Sequence, residues 1–416
     1  MKHIYSSVDI GSDTIKIAVC ELYKGKLNLL AASSVKSNGI KKGLITDFEA
    51  ASISMKNALS EIESMLGIKI KRVVVSVPSY FAEFMVVKGA IDITSEDGII
   101  TGDDVIKVLQ NAMNQKLMPG KEMVTMLPID FNIDDSGEHV SDPKGIVGKK
   151  LSARAVMATT PKKNIYSVVS LMDSVGVEIV DISLNPIGNS YAFRFKEMNS
   201  QIGAIIDVGA ETTTVSLYNK GIIVKSSIIA MGGKNIDNDL SYIYKVNVNE
   251  ARKIKEKFAL AHKKYASASE MYEVQSENDI IKINQFEASE IVMSRIEEIL
   301  TLAKKEVNIL TTRNIDYVII TGGTSNMAHF DYIAEDIFGK DVTIGDLKVI
   351  GVRNNKYSVC IGNIIYFINK LRIKGKDFTM VSSSDMEELE TPKRGIINNI
   401  TNETMLGKVF GYFFSE

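Results

Sequence analysis

The stretch Val8-Asp-Ile-Gly-Ser-Asp-Thr-Ile-Lys-Ile-Ala-Val19 decides the fold, because a second copy of it occurs later in the chain. That copy is Ile206-Asp-Val-Gly-Ala-Glu-Thr-Thr-Thr-Val-Ser-Leu217. In each copy an apolar run leads into Asp-x-Gly, and a polar tip is followed by a second run with alternating apolar residues. The pattern predicts two β-hairpins that open two related halves, with a cleft between them.

The polar tips have the composition of an anion site. Glycine lets the backbone bring several N–H groups close to an anion, and the neighbouring hydroxyls add donors. Lys16 lies on the same strand face as Thr14, so its ammonium can reach whatever the tip holds. The predicted phosphate contacts are Gly11, Ser12, Asp13, Thr14 and Lys16 in the first tip and Gly209, Ala210, Glu211 and Thr212 in the second.

Asp9 and Asp207 end the entering strands, where a bare carboxylate would repel phosphate. They therefore predict a hydrated Mg²⁺ between the carboxylates and the phosphate oxygens. For one copy alone, a tight hairpin turn without a ligand is the better explanation of Asp-x-Gly. Two copies at the start of two halves favour the phosphate site.

Two further glycine pairs extend the predicted site. The run Tyr317-Val-Ile-Ile-Thr-Gly-Gly-Thr-Ser is an apolar strand that ends in Gly322 and Gly323, where the backbone can lie against a flat ring or a ribose. The turn Met231-Gly-Gly-Lys-Asn leads into a helix whose first N–H groups could contact phosphate. The residues added in this way are Gly232, Gly233 and Asn235.

The composition is that of an ordinary globular protein with 416 residues, 45% hydrophobic and 24% charged. Its 49 basic and 51 acidic residues nearly cancel, and no basic stripe with interleaved aromatics predicts a nucleic-acid partner. Cys20 and Cys360 lie in apolar stretches, which favours neither a disulfide framework nor a zinc site. We expect a cytoplasmic protein that is neither secreted nor integral to a membrane.

Local patterns predict the main helices and an inserted module. A helix over 47–66 ends at Gly67, and a long helix covers Gln285 to about Leu310. Residues 84–157 predict a small α+β insertion, with a helix from Thr101 to about Leu117 capped by Thr101 and Asp103, and a strand before Pro128. A helix over Ser358–Arg372 contains Gly362, which permits close helix approach.

The end of the chain changes character twice. Residues 377–401 are mostly polar and predict a flexible linker. Residues 402–416 predict an amphipathic helix that inserts into a membrane interface, the alternative being a helix that docks on the domain or on another protein. The predicted membrane-facing residues are Met405, Leu406, Val409, Phe410, Tyr412, Phe413 and Phe414.

The order of the two hairpins and the Thr-Gly-Gly strand resembles the actin, sugar-kinase and DnaK-like ATPase superfamily. With the insertion, including Asp142-Pro-Lys-Gly-Ile-Val-Gly-Lys-Lys-Leu, and the terminal helix, the chain resembles the FtsA family of bacterial actin-like division proteins over essentially its whole length. The resemblance implies a duplicated, two-lobed α/β fold of the actin-like (ribonuclease H-like) type. Its parts are a first lobe (1–83 and 158–200), an inserted subdomain (84–157) and a second lobe (201–376, with an outer subdomain at about 240–315).

The resemblance also implies a function. It predicts that the protein binds ATP and Mg²⁺, self-associates into filaments at the cytoplasmic face of the membrane, and anchors the FtsZ ring while recruiting other division proteins. By the resemblance, the adenosine site would use Gly322, Gly323, Thr324 and the helix start around Met327, together with Gly233 and the charged helix that carries Arg252 and Lys255. Arg295 resembles a basic position that holds the FtsZ tail. Arg252 stands where many relatives have Glu, and Ala210-Glu211 stands where many have Gly-Gly.

Two other functions share this superfamily. A pilus-assembly-type scaffold would bind nucleotide and dock a membrane partner, and it would not bind vesicles by itself. A small-molecule kinase or phosphatase would need a carboxylate aimed at a substrate hydroxyl, and Asn185-Pro186 stands where many superfamily members have Glu-Pro. No catalytic residue is assigned, so at most slow ATP hydrolysis is expected.

Overall fold

The computed structural model describes residues 2–113, 118–275 and 280–390. The chain begins with β1 (His3–Ile10), β2 (Thr14–Tyr23), β3 (Lys26–Lys36), β4 (Ile40–Lys41), β5 (Leu44–Ile45), α1 (Phe48–Leu66) and β6 (Arg72–Val77). Asp47 caps α1 by accepting the N–H of Ala50, and Gly67 ends the helix with φ 81°. The predicted helix over 47–66 is confirmed.

Residues 83–161 form a sheet of their own, ordered β7-β10-β8-β9. Its elements are β7 (Glu83–Asp92), α2 (Gly102–Ala112), β8 (Lys121–Ile133), β9 (His139–Val140) and β10 (Lys150–Pro161). Helix α2 packs on this sheet around a separate apolar core that includes Val105, Phe131 and Leu151.

Two details of this module differ from the sequence prediction. The capping partner of Thr101 is Asp104, whose Oδ2 accepts the Thr101 N–H at 2.9 Å, and not Asp103. Pro128 does not end a strand but lies inside β8, opposite Ala155, beside a register irregularity where a residue without an N–H is tolerated. The predicted end of α2 near Leu117 lies outside the described residues.

The chain then returns to the first sheet and builds the second. It continues with α3 (Lys162–Ser174), β11 (Glu178–Leu184), α4 (Asn185–Ala192), β12 (Ile202–Val208), β13 (Thr213–Asn219), β14 (Ile222–Ile229), α5 (Gly233–Tyr244), α6 (Val248–Lys257), β15 (Met271–Gln275), β16 (Ile280–Asn284), α7 (Gln285–Leu310), β17 (Tyr317–Thr321), α8 (Phe330–Phe338), β18 (Val342–Ile344), α9 (Ser358–Ile373) and α10 (Ser383–Glu390).

The two main sheets have the same topology. The first is ordered β11-β6-β1-β2-β3 and the second β14-β13-β12-β17-β18. Each contains an antiparallel three-strand meander that begins with an Asp-x-Gly hairpin. A fourth strand pairs in parallel with the first strand of the meander, and a fifth pairs in parallel with the fourth. The predicted duplication and the actin-like α/β architecture with an inserted subdomain are confirmed.

Helices α4 and α9 cross between the halves at two glycines. A Cβ built on Gly362 would lie 1.7 Å from the carbonyl oxygen of Gly188, so only glycine permits this approach. The prediction that Gly362 allows close helix packing is confirmed.

The predicted linker at 377–401 begins too early. The N–H of Met380 bonds to the carbonyl of Ile4 at 2.9 Å, Met380 and Val381 are buried, and the Phe378 ring contacts Phe367. Helix α10 follows. Three apolar side chains therefore hold residues 378–381 on the first half. The linker prediction missed them because the residues that follow are mostly polar. Residues 391–401 lie outside the described part of the chain.

Gly362→Ala is expected to lower the free energy of unfolding by roughly 2–3 kcal/mol, because the added methyl forces α4 and α9 apart. Urea unfolding followed by far-ultraviolet circular dichroism measures it. Ser294→Ala, on the exposed face of α7, is the control and should change stability by less than about 0.5 kcal/mol. Equal losses in both variants would contradict the close-contact explanation.

Candidate functional site

The two hairpins face a common cavity of about 610 Å³ between the halves. Most of the residues predicted from the sequence line it: Asp9, Gly11, Ser12, Asp13, Thr14, Lys16, Asp207, Gly209, Ala210, Thr212, Gly233, Arg252, Lys255, Gly322, Gly323, Thr324 and Met327. Glu211, Gly232 and Asn235 do not line it. Asn235 instead closes the start of α5, where its Oδ1 accepts the Gly232 N–H at 3.0 Å.

Asp9 and Lys16 form a buried ion pair at the base of the first hairpin. Antiparallel register places them opposite each other on β1 and β2, and Lys16 Nζ lies 2.9 Å from Asp9 Oδ2. Burial alone would lower the pKa of Lys16, but the charge and hydrogen bond of Asp9 outweigh burial and raise it. Lys16 is therefore charged inside the cavity at neutral pH.

Asp207 is held by neutral donors instead. Asn189, on α4, donates from Nδ2 to Asp207 Oδ2 at 2.8 Å, and its own Oδ1 accepts from Ser358 Oγ at 2.7 Å. Burial raises the pKa of Asp207, and the charge of Asp9 acts in the same direction, whereas the Asn189 bond opposes them. The role of Asn189 and Ser358 could not be predicted from the sequence, because their contact depends on the crossing of α4 and α9.

The start of α5 is fastened to the second hairpin tip. The N–H of Gly233 bonds to the carbonyl of Gly209 at 2.9 Å, and the N–H of Lys234 bonds to that of Ala210 at 2.7 Å. A Cβ on Gly232 would lie 2.6 Å from the Gly209 oxygen. The glycine pair at 232–233 is thus needed to bring helix and hairpin together, whichever ligand binds beside them.

Lys255 meets a buried acid that the sequence did not indicate. Its ammonium lies 2.7 Å from Asp237 Oδ1 and donates to the Gly233 carbonyl at 3.2 Å. Burial raises the pKa of Asp237 and the charge of Lys255 opposes the shift. Lys255 therefore joins α6 to α5 beside the cavity.

The two glycines after β17 have different roles. Gly322 has φ 95°, and a Cβ there would lie 2.5 Å from Asp207 Oδ1. Gly323 has only Lys356 Cβ near its own Cβ position, at 3.9 Å, so this face is open to the cavity. Lys356, just before α9, also lines the cavity, and burial together with the charge of Lys16 lowers its pKa. No local sequence pattern points to Lys356, because its position beside the cavity depends on the tertiary fold.

Three predicted ligand contacts bond to the protein itself across the cleft. Arg252 lies 2.7 Å from Asp13, between Nη2 and Oδ2. Glu211 accepts the backbone N–H of Lys42 at 2.6 Å and bonds to Lys234 at 2.8 Å.

Arg295, predicted to hold a partner tail, is engaged on the surface of its own half. Its Nε and Nη2 donate to the two oxygens of Asp239 on α5, at 2.6 and 3.0 Å, and Nη1 bonds to Glu298. The side chain is 26% exposed. A partner carboxylate would have to compete with both acids. The predicted membrane-facing residues of 402–416 lie outside the described part of the chain.

Two family models match this chain. One, described as "Cell division protein FtsA", matches residues 204–362, and one described as "SHS2 domain inserted in FTSA" matches residues 82–159. The chain is 28% identical over 376 residues to the cell division protein FtsA of Bacillus subtilis (strain 168), covering 90% of this chain and 85% of that protein. Identity to FtsA of Enterococcus hirae is 24%, with 99% and 98% covered.

Similar solved structures have the same fold. MreB5 of Spiroplasma citri bound to ADP matches with a TM-score of 0.56 at 16% identity, covering 89% of this chain and 98% of that one. A PilM–PilN type IV pilus biogenesis complex matches with a TM-score of 0.57 at 12% identity, with 87% and 98% covered. At these identities the likeness shows an actin-like fold alone. No helix in the described ranges is both long and apolar enough to cross a membrane.

Asp207→Asn is expected to stabilise the protein at neutral pH. The pKa of Asp207 is raised in the folded state. Between the ordinary pKa of 3.8 and this raised pKa, the folded state therefore binds more protons than the unfolded state. The stability of the wild-type protein consequently falls as the pH rises through this range. Removing this charge should therefore raise the free energy of unfolding at pH 7.5. The gain should vanish below the ordinary carboxyl pKa.

Urea unfolding of both proteins at several pH values measures this difference. A variant that is less stable at pH 7.5 would show that Lys16 and Asn189 more than offset the burial of the Asp207 charge.

Proposed function

Because this chain belongs to the FtsA family of cell division proteins, we propose that it binds ATP between its halves, polymerises at the inner face of the cytoplasmic membrane and anchors the FtsZ ring there. The observation that carries the nucleotide part is the placement of both Asp-x-Gly hairpins and the Gly322-Gly323 pair around one cavity. The division part rests on the family and on the terminal segment.

The cavity offers a distinct surface to each part of ATP. The phosphates would lie between the hairpin tips, where Gly11, Ser12 and Thr14 face Gly209 and Thr212. The charged ammonium of Lys16 favours phosphate there. The nucleoside would lie on the open face of Gly323, near Met327 and Lys255.

Asp9 and Asp207 suit a hydrated Mg²⁺, which binds through one or two carboxylates, phosphate oxygens and several waters. The ion would supply positive charge that offsets the phosphates. Lys16 already holds Asp9, and Asn189 holds Asp207. Both carboxylates are therefore oriented by the protein itself.

Hydrolysis is proposed to be slow at most. Asn185 lines the cavity at the start of α4, and an amide can orient water but is not a base at neutral pH. This favours a nucleotide-dependent scaffold over a kinase or phosphatase.

Gly323→Val is expected to weaken ATP binding by roughly tenfold or more, because its side chain would occupy the open face where the nucleoside is proposed to lie. Fluorescent ATP titration with Mg²⁺ measures the affinity. The position has room for side-chain atoms, so the urea unfolding midpoint should stay close to that of the wild type. An unchanged affinity in a folded variant would show that the nucleoside does not bind on this face.

The terminal segment supports membrane attachment by its sequence. The sequence has seven apolar residues between Met405 and Phe414 at spacings that would gather them on one broad face of a helix, with Lys408 opposite. Such a face binds by apolar burial in the interface, and Lys393 and Arg394 upstream add attraction to anionic lipids.

The FtsZ tail is proposed to bind near Arg295 on α7. Asp239 and Glu298 already hold the guanidinium in a fixed position. An acidic segment could exchange for Asp239 without reordering the arginine, which lowers the entropic cost of binding.

Deleting residues 402–416 should abolish co-sedimentation with vesicles containing anionic lipid, and with it the recruitment of FtsZ to those vesicles. Arg295→Ala should leave vesicle binding unchanged and lower FtsZ recruitment by roughly tenfold. Arg313→Ala, at a different surface arginine, is the matched control. Unchanged sedimentation after the deletion would refute the anchor, and unchanged recruitment by the Arg295 variant would place the FtsZ tail elsewhere.

A further inference from the structure

Three polar contacts join the two halves beside the cavity. Arg252 on α6 donates from Nη1 to Asp13 Oδ1 at 2.8 Å, and its Nη2 lies 2.7 Å from Oδ2, so the pair is bidentate. Glu211 Oε2 accepts the Lys42 N–H at 2.6 Å. Lys234 Nζ donates to the Ser12 carbonyl at 3.3 Å.

These contacts fall into two neighbouring groups, one around Arg252 and one around Glu211 and Lys234. Lys234 also bonds to Glu211 Oε1 at 2.8 Å, and Arg252 Nε bonds to Glu256 Oε1 at 2.8 Å. The Asp13 side chain is 16% exposed and that of Arg252 is 37% exposed. A bidentate, partly buried pair of this kind is stronger than an isolated surface pair.

Each acidic side chain in these two groups bonds to a basic one. Burial alone would lower the pKa of Arg252, but its bonds to Asp13 and Glu256 raise it. Arg252 and Asp13 therefore attract each other across the two halves.

We propose that Asp13, Arg252, Lys234, Glu211 and the Lys42 N–H form an ionic clasp that holds the halves together and limits the rate at which nucleotide leaves the cavity. The ligand in this statement rests on the proposed function. The clasp itself requires only contacts within the chain. Nucleotide release must separate the halves, and separation breaks the Asp13–Arg252 pair and the Lys42–Glu211 bond together.

The Lys42 N–H reports opening without any nucleotide, because its acceptor belongs to the other half. Asp13→Asn and Arg252→Gln should each speed hydrogen exchange of the peptide that contains Lys42 by about fivefold, the size of one such ion pair. Lys253→Gln is the matched control. Lys253 is 56% exposed and bonds to Glu250 on its own helix, so exchange should not change.

Release of fluorescent ADP, chased with unlabelled ADP, tests the link to nucleotide. Both single variants should release it about fivefold faster than the wild type, and Lys253→Gln should not. Asp13 and Arg252 also line the cavity, so each single change could remove a direct ligand contact. The double variant D13R/R252D separates these causes, because it restores the clasp and should return release towards the wild-type rate.

Each outcome decides one statement. Unchanged exchange at Lys42 in both folded single variants overturns the clasp. Faster exchange with an unchanged rate of ADP release would show that the clasp does not limit nucleotide release. The same conclusion would follow if the double variant released ADP as fast as expected from both single changes combined. A wild-type protein that binds no ADP or ATP defeats the proposed function, while exchange at Lys42 still decides whether the clasp exists.

Discussion

The two central strands each carry an aspartate at their end, Asp9 buried and Asp207 half-buried, and the cost of withdrawing these carboxylates from water constrains the residues around them. Asp9 has its own cation, Lys16, on the neighbouring strand. Asp207 has only Asn189, which Ser358 holds in turn. Asn189 follows Gly188, the residue that lets α9 approach α4, so one helix crossing both packs the halves and orients a site carboxylate. The same contact between α4 and α9 therefore determines both the packing of the halves and the hydrogen bonding of Asp207 in the cavity.

The sequence predicted the features that repeat or depend on neighbours along the chain. The duplicated hairpin predicted two related halves, and the structure contains two sheets that each begin with such a hairpin, while Asp47 and Gly67 bounded α1. Backbone conformation and strand pairing are local at these positions, so the pattern is sufficient. The Thr-Gly-Gly run was also placed correctly beside the cavity. The reason for Gly322, however, is its close approach to Asp207, which no linear pattern contains.

The unpredicted residues are those whose partners are distant in sequence. Asp237 pairs with Lys255, and Lys356 reaches the cavity from a segment between β18 and α9. The linker prediction failed over 378–381 for the same reason. Met380 bonds to Ile4, near the other end of the described chain, and Phe378 packs on Phe367, and composition cannot show contacts of that kind.

Arg252 and Glu211 show why substitutions in such a site have to be considered in pairs. Taken singly, each looks unfavourable: Glu211 adds a carboxylate beside a predicted phosphate site, and Arg252 removes the acid that the resemblance expects near a ribose. In the fold each is paired, Glu211 with Lys234 and Arg252 with Asp13, so each carboxylate has a cation. Arg252 and Asp13 come from opposite halves, so their pair has its full strength only when the halves are close together. The glycine-lined surface of the cavity and the ionic attraction between its walls therefore depend on different side chains of this protein.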